Sequence, residues 1–338
     1  MFFRQILGQE RVISHLKTTR EKGRLSHAYL FMGPEGVGRA STARALAAAL
    51  NCLTPLEDGD ACGTCASCRR LAAGTNPDFV VIGPTSESHQ PQIKIEQIRE
   101  FRRLTSYPPY GDGWRVALIK PAEALRDEAA NALLKTLEEP PERHLLVLTA
   151  QAEADLLPTI VSRCHKLAFA PLPAALVARE LEARRGLAAP QAQLLAALSG
   201  GSLGRALMLD PEAILAQRRQ VLDDLKALAG GSASVALDWA QRLAKSRPDL
   251  DNFLGLAQLW YRDLLLCHFQ APAALLAHQD LQADLNRAAA ATPPATWFQK
   301  FSALGTAQRH LQANLNPELT LDILGLRLQR RGQSHGSR

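Results

Sequence analysis

The chain has 338 residues, 46% of them hydrophobic, and its 39 Lys and Arg against 33 Asp and Glu leave a formal charge of +6. That length supports two or three domains with a substantial core, while apolar runs such as residues 43–50, interrupted by Arg44, fall short of the roughly 18 residues of a membrane span. The charge excess is small and dispersed and so carries little weight for DNA contact, and an N-terminus that meets Arg4, Glu10 and Arg11 before any signal-like apolar region leads us to expect a soluble cytoplasmic protein.

Ile6-Leu7-Gly8-Gln9 reads as a short strand or turn, followed by a helix whose Val12, Ile13 and Leu16 share one face. The apolar run Ala28-Tyr29-Leu30-Phe31-Met32 predicts a strand, and residues 43–50 an Ala/Leu-rich helix. Between them lies Gly33-Pro34-Glu35-Gly36-Val37-Gly38-Arg39-Ala40-Ser41-Thr42. Strand, glycine loop and helix are the context of a P-loop, G-x-x-x-x-G-K-[ST]. There the glycines turn backbone N–H groups toward phosphate, the lysine reaches the β/γ-phosphates and the hydroxyl holds Mg²⁺. Gly33 and Gly38 keep the spacing, with Gly36 between them. Arg39 stands at the lysine position and Ala40 at the hydroxyl. Arginine keeps the charge on a forked donor of different shape, but a methyl group cannot ligate magnesium. We read a nucleotide-binding fold without a hydrolytic site; taken alone, the segment is also compatible with a glycine-rich turn unrelated to P-loops.

Cys52, Cys62, Cys65 and Cys68 follow as C-x₉-C-x₂-C-x₂-C in a polar stretch, and only Cys164 and Cys267 lie elsewhere. Four thiolates at such spacing suit one tetrahedral Zn²⁺, a structural site with no open position for water. Disulfides are the first alternative, disfavoured in a reducing compartment, and iron–sulfur ligation is the second.

Phe79-Val80-Val81-Ile82 predicts a second strand, and Ile93 to Arg99 opens a helix running toward Tyr107-Pro108-Pro109. Its Arg99, Arg102 and Arg103 read as a solvated basic face. Val116-Ala117-Leu118-Ile119 is a third strand, after which a P-loop ATPase presents acidic residues for magnesium and the attacking water; Lys120-Pro121 stand there instead, with Glu123 beyond them. His144-Leu145-Leu146-Val147-Leu148-Thr149 is a fourth strand and residues 165–169 a fifth, with Ser162-Arg163-Cys164 before it and Cys164 as a packing residue. After Pro171 and Pro173 helical periodicity takes over. Residues 171–209 form a small set of helices ending in Gly200-Gly201-Ser202-Leu203-Gly204-Arg205. Residues 210–330 hold five or six more, including 252–269 and 297–315, with Pro248, Pro272, Pro293, Pro294 and Pro317 between them or at their edges, where helix breaks are expected. Residues 331–338 read as a flexible basic tail.

Ile6-Leu7-Gly8-Gln9, the run from Arg24-Leu25-Ser26-His27 into Gly33-Pro34, Asn131-Ala132-Leu133-Leu134-Lys135-Thr136-Leu137-Glu138-Glu139-Pro140-Pro141 and Ser162-Arg163-Cys164 resemble the AAA+ clamp-loader family. The cysteine cluster resembles the zinc module that bacterial gamma/tau and delta-prime subunits carry at this place. The resemblance implies an α/β P-loop AAA+ domain over residues 1–170, a five-stranded parallel sheet with a zinc module at 52–68, then a helical lid (171–209) and an all-α oligomerisation collar (210–330). It places Lys120-Pro121 where active members have Asp-Glu, and Ala150 or Gln151 where they have a polar γ-phosphate sensor. It makes Arg163 a finger reaching the nucleotide of a neighbouring subunit, an effect worth about 10³ to 10⁵ in rate in such systems, although spacing alone favours a loop-fixing salt bridge. Arg205 would be a second phosphate sensor or a helix-face residue. The implied role is a non-catalytic subunit, with structural zinc and without ATP/Mg hydrolysis of its own, that stands with gamma/tau and delta subunits to load a sliding clamp on primed DNA. Two alternatives stay open: a gamma/tau-like ATPase using Arg39 with unconventional magnesium ligands, and a zinc-dependent DNA-binding protein with an inert AAA+ core.

Overall fold

The computed structural model describes residues 2–85 and 92–329; the tail expected at 331–338 lies outside the described residues. The chain divides into two compact units, one comprising residues up to Pro173 together with Ser202–Gly204, the other Ala174–Gly201 and the residues from Arg205 onward.

In the first unit a 3-10 turn, Phe3–Gln5, leads into α1 (Glu10–Glu21), β1 (Ala28–Met32), α2 (Arg39–Leu50), α3 (Ala66–Ala72), β2 (Phe79–Ile82), α4 (Ile95–Thr105), β3 (Arg115–Ile119), α5 (Asp127–Glu138), β4 (His144–Ala150), α6 (Pro158–Val161) and β5 (His165–Ala168). The five strands pair in parallel in the order β2-β3-β4-β1-β5. A parallel sheet is covered on both faces, so its central strands are continuous apolar runs. All of β3 and β4 is buried accordingly. Alternation splits these runs between two cores. Tyr29, Phe31, Val116, Leu118, Leu145 and Val147 pack with Leu16 of α1 and Leu46 of α2. Leu30, Ala117, Ile119, Leu146 and Leu148 point the other way, to Ile98 and Phe101 of α4 and Leu133 and Leu137 of α5. The register sets Met32 beside Ala150, so the carboxyl ends of β1 and β4 converge where the glycine loop leaves the sheet, the usual place for a ligand in such folds.

Two local expectations differ. Ile6-Leu7-Gly8-Gln9 forms no strand; the ordered turn lies just before it, at Phe3–Gln5. The helix after the glycine loop begins at Arg39 rather than near residue 43, with Gly38 in a left-handed conformation as its cap.

The second unit is helical: α7 (Ala174–Arg185), α8 (Ala189–Leu198), α9 (Leu203–Met208, whose first two residues belong to the first unit), α10 (Pro211–Gly230), α11 (Ala233–Ala244), α12 (Arg247–His268), α13 (Gln282–Ala291), α14 (Pro294–Gln312) and α15 (Pro317–Gln329). α12 starts five residues before the expected position 252. Pro248 lies at the helix edge, as expected: it falls in the first turn, where its missing N–H is no loss, and Ser246 caps that turn by accepting from the Asp249 N–H. Leu250, Phe253, Leu254, Ala257, Tyr261 and Leu264 of α12 are buried. Among the described residues no helix is long and apolar enough to cross a membrane.

Candidate functional site: a glycine loop, a cysteine cluster and a surface arginine

Gly33, Gly36 and Gly38 adopt φ of 143°, 75° and 106°, conformations that side chains rarely tolerate. A Cβ on Gly33 would also collide with the main-chain carbonyl of Phe169. The Gly38 carbonyl accepts from the Thr42 N–H at 2.8 Å and from Thr42 Oγ1 at 2.9 Å, closing the first turn of α2. The loop is further backed by Gly204, whose N–H donates to the Gly36 carbonyl at 3.0 Å and whose Cβ, if present, would lie 2.9 Å from Gly36 Cα.

Arg39 points into the protein. It is 7% exposed, and its Nη1 donates to the main-chain carbonyl of Ala150 at the end of β4. Burial holds the guanidinium below its ordinary pKa, an effect that the nearby carboxylates of Glu123 and Glu35 oppose. Glu123 is half-buried, and its Oε2 has no hydrogen-bond partner. Lys120 and Pro121, directly after β3, are exposed. The Thr149 hydroxyl turns back to the Ile119 carbonyl at 3.5 Å, and the next residue, Ala150, has no polar side-chain atom. The loop glycines and Arg39 thus come together, but an alanine stands at the hydroxyl position and a cation and a proline follow β3. Magnesium held by a P-loop protein needs the hydroxyl and the acid.

Arg163 lies outside this cluster, on the surface after α6. Its Nη2 donates to Glu138 Oε1 at 2.7 Å and its Nη1 to the Thr159 carbonyl at 3.0 Å. Arg205 is exposed on α9, in the second unit.

The cysteines converge from a loop and the start of α3. Their sulfurs all lie within 4.8 Å of one another, with Cys52 to Cys68 at 3.7 Å and the Cys52–Cys65 and Cys62–Cys68 pairs each at 4.0 Å. Zinc–thiolate bonds of about 2.3 Å in a tetrahedron set sulfurs about 3.8 Å apart, so the donor set fits that ion. Backbone N–H groups already aim at sulfur: Cys62 N–H donates to Cys52 Sγ at 3.3 Å, Cys65 N–H to Cys62 Sγ at 3.3 Å and Cys68 N–H to Cys65 Sγ at 3.5 Å. The Thr54 hydroxyl, with the Thr64 and Cys65 N–H groups, brings the Cys62 thiol down to about 5, whereas burial pushes Cys68 up to about 12. A bound cation would take all four as thiolates. Supplied there, zinc would act as a structural cross-link.

Two buried aspartates organise the surroundings, and nothing in their local sequence marks them. Asp60 accepts from the Phe3, Arg4 and Ala61 N–H groups and from the Arg4 guanidinium. Asp78 pairs with Arg115 at 3.1 Å and accepts from the Tyr110 and Gly111 N–H groups, while Arg115 donates to the Leu104, Tyr107 and Pro108 carbonyls. Together they fix the loop from α4 to β3.

The family model described as DNA polymerase III, delta subunit matches residues 8–173, and the model described as DNA polymerase III, delta subunit, C terminal matches residues 212–329. The chain is 42% identical over 205 residues to DNA polymerase III subunit delta' of Pseudomonas aeruginosa, covering 60% of this chain and 61% of that protein. It is 38% identical over 225 residues to subunit tau of Escherichia coli, covering 65% of this chain but 34% of that protein. The matched stretch therefore spans less than two thirds of the length of each of these two relatives. Subunit delta' of Bacillus subtilis matches end to end, 30% identical over 327 residues, covering 95% of this chain and 96% of that protein. With matches along nearly its whole length, the chain belongs to the delta-prime family of DNA polymerase III subunits.

Proposed function

We propose that this chain is an ATPase-deficient, delta-prime-type subunit of the DNA polymerase III clamp loader that donates Arg163 to the nucleotide of a neighbouring ATPase subunit. The observation that carries the reading is the inward course of Arg39. The loop's cation is bound to the chain's own β4 carbonyl, with Ala40 beside it and Lys120-Pro121 at the end of β3. The nucleotide site formed by Gly33, Gly36, Gly38 and Arg39 keeps its glycine-loop geometry and lacks what hydrolysis requires. Arg163, by contrast, is half-buried at the surface and held by a carboxylate, a carbonyl and a hydroxyl, so that a phosphate could replace its present partners.

In this role the chain stands with gamma/tau and delta subunits, and acts on the sliding clamp and primed DNA through the assembled complex. Residues 1–170 form the AAA+ domain, 171–209 a lid and 210–330 the oligomerisation collar. Cys52, Cys62, Cys65 and Cys68 hold zinc as a structural element.

The test is phosphate release by the purified chain with Mg-ATP, alongside equilibrium dialysis with labelled ATP. No magnesium-dependent turnover above the buffer rate is expected. Turnover abolished by Arg39→Ala would establish an active gamma/tau-like enzyme instead.

A further inference from the structure

We propose that residues 2–9 are a strap through which occupancy of the four-cysteine site sets the shape of the glycine loop, with Asp60 as its fastening; the inference rests on the metal reading of the cysteines.

The strap is tied at both ends to parts of the chain remote in sequence. At the cysteine end Asp60, two residues before Cys62, has no solvent-exposed side-chain surface. Its Oδ1 accepts from the Phe3 N–H at 3.1 Å and the Ala61 N–H at 2.8 Å, and its Oδ2 from the Arg4 N–H at 3.1 Å and Arg4 Nη1 at 3.2 Å. Arg4 Nη1 also donates to the Ala61 carbonyl at 2.8 Å. The Phe2 ring occupies the space that a side chain at position 63 would need, since a Cβ on Gly63 would lie 2.9 Å from Phe2 Cζ. At the other end Ile6 packs on the glycine loop, 3.7 Å from where a Cβ on Gly38 would stand. Gln9, 4% exposed, donates through Nε2 to the Val37 carbonyl at 3.3 Å and the Ala170 carbonyl at 2.8 Å, and accepts from the Ala170 N–H at 3.3 Å.

Within the strap itself the only regular element is the short turn Phe3–Gln5. Its position therefore depends on these two ends. The cysteine segment in turn has only α3, seven residues long, as regular structure, so metal ligation would add an ordering constraint to its packing on the core. Release of the metal would loosen Asp60, then Phe3 and Arg4, and through Ile6 and Gln9 the loop at Val37 and Gly38. The proposed coupling has two sites and a physical element joining them, as such a claim requires.

Hydrogen exchange read by mass spectrometry on the full chain tests it, with zinc content measured on the same samples. Three conditions are compared: wild type carrying one zinc, wild type after chelation, and zinc-loaded Asp60→Asn, which keeps all four cysteines. Exchange at residues 2–9 and 33–38 should rise roughly ten- to a hundredfold on chelation and in Asp60→Asn, the range expected for losing hydrogen bonds to a charged group. Phe2→Ala, which removes the ring from Gly63 and from the Arg4 guanidinium but keeps the hydrogen bonds to Asp60, should show a smaller rise in the same two segments. One zinc per chain with exchange at 33–38 unchanged in all cases would overturn the inference and leave the metal reading standing. A chain that takes up no zinc would overturn both.

Discussion

Arg163 donates to Glu138 across 2.7 Å, yet the two side chains remain 36% and 51% exposed. An ion pair this open to water contributes about 0–1 kcal/mol to stability, so the pair is poorly suited to fixing a loop and well suited to being exchanged for another anion. Arg163→Ala and Glu138→Gln should each change the free energy of urea unfolding by less than about 1 kcal/mol. A loss of several kcal/mol would identify Arg163 as a structural residue.

Arg39 is buried on the Ala150 carbonyl with Glu123 nearby. Removing it leaves the Ala150 carbonyl with the Gly33 N–H at 3.2 Å in place of a charged donor and takes a cation from beside the half-buried Glu123 carboxylate. Arg39→Ala should therefore destabilise the chain by about 1–3 kcal/mol in urea unfolding. Arg39→Lys restores the P-loop cation but neither the hydroxyl nor the acid, so phosphate release by the isolated variant should stay at background. Turnover by that variant would show that Ala40 and Lys120-Pro121 are not the obstacle.

The Asp78–Arg115 pair is buried on both sides, at 8% and 9% side-chain exposure. Taking away one partner of a buried pair leaves the other charge uncompensated, at a cost of about 3–5 kcal/mol. Asp78→Ala should show that loss in urea unfolding and should also free the Tyr110 and Gly111 N–H groups to exchange. A change below about 1 kcal/mol would contradict this account of the pair.

In the second unit Asp263 is fully buried, with His278 Nδ1 at 2.9 Å from Oδ2, Arg262 Nη2 at 2.7 Å from Oδ1, and the Ala277 and His278 N–H groups donating to Oδ2. Burial alone would raise its pKa. The His278 hydrogen bonds and the Arg262 charge outweigh that and hold the carboxyl below its ordinary 3.8. A depressed folded pKa stabilises the protein above the unfolded value and loses that stabilisation as pH falls through the folded one. Wild-type stability should accordingly drop more steeply than that of Asp263→Asn as pH is lowered below about 4. Parallel pH profiles in urea unfolding would refute the assignment.

The parts of the structure that could be read from sequence are those written in local pattern. The apolar runs of β1, β3 and β4 announce a covered parallel sheet, and the cysteine spacing announces a cluster because two-residue gaps bring thiols together without help from the rest of the fold. Other features depend on distant partners. Whether Arg39 faces outward or inward is decided by the Ala150 carbonyl, 111 residues away. Asp60 owes its role to Phe3, 57 residues earlier, and Asp78 to Arg115, 37 residues later. Neither aspartate stands in a motif. Pro248 marks the edge of α12 as its sequence suggests, and the Ser246 cap sets the start of the helix.

The most direct measurement is clamp- and primed-DNA-stimulated ATP turnover by a clamp loader reconstituted with gamma/tau and delta subunits and either wild-type chain or Arg163→Ala, with assembly verified for both. The account predicts equal assembly and turnover lowered by about 10³-fold or more at the site facing this subunit, the scale of arginine-finger loss. Unchanged stimulated turnover in a fully assembled Arg163→Ala complex would contradict it.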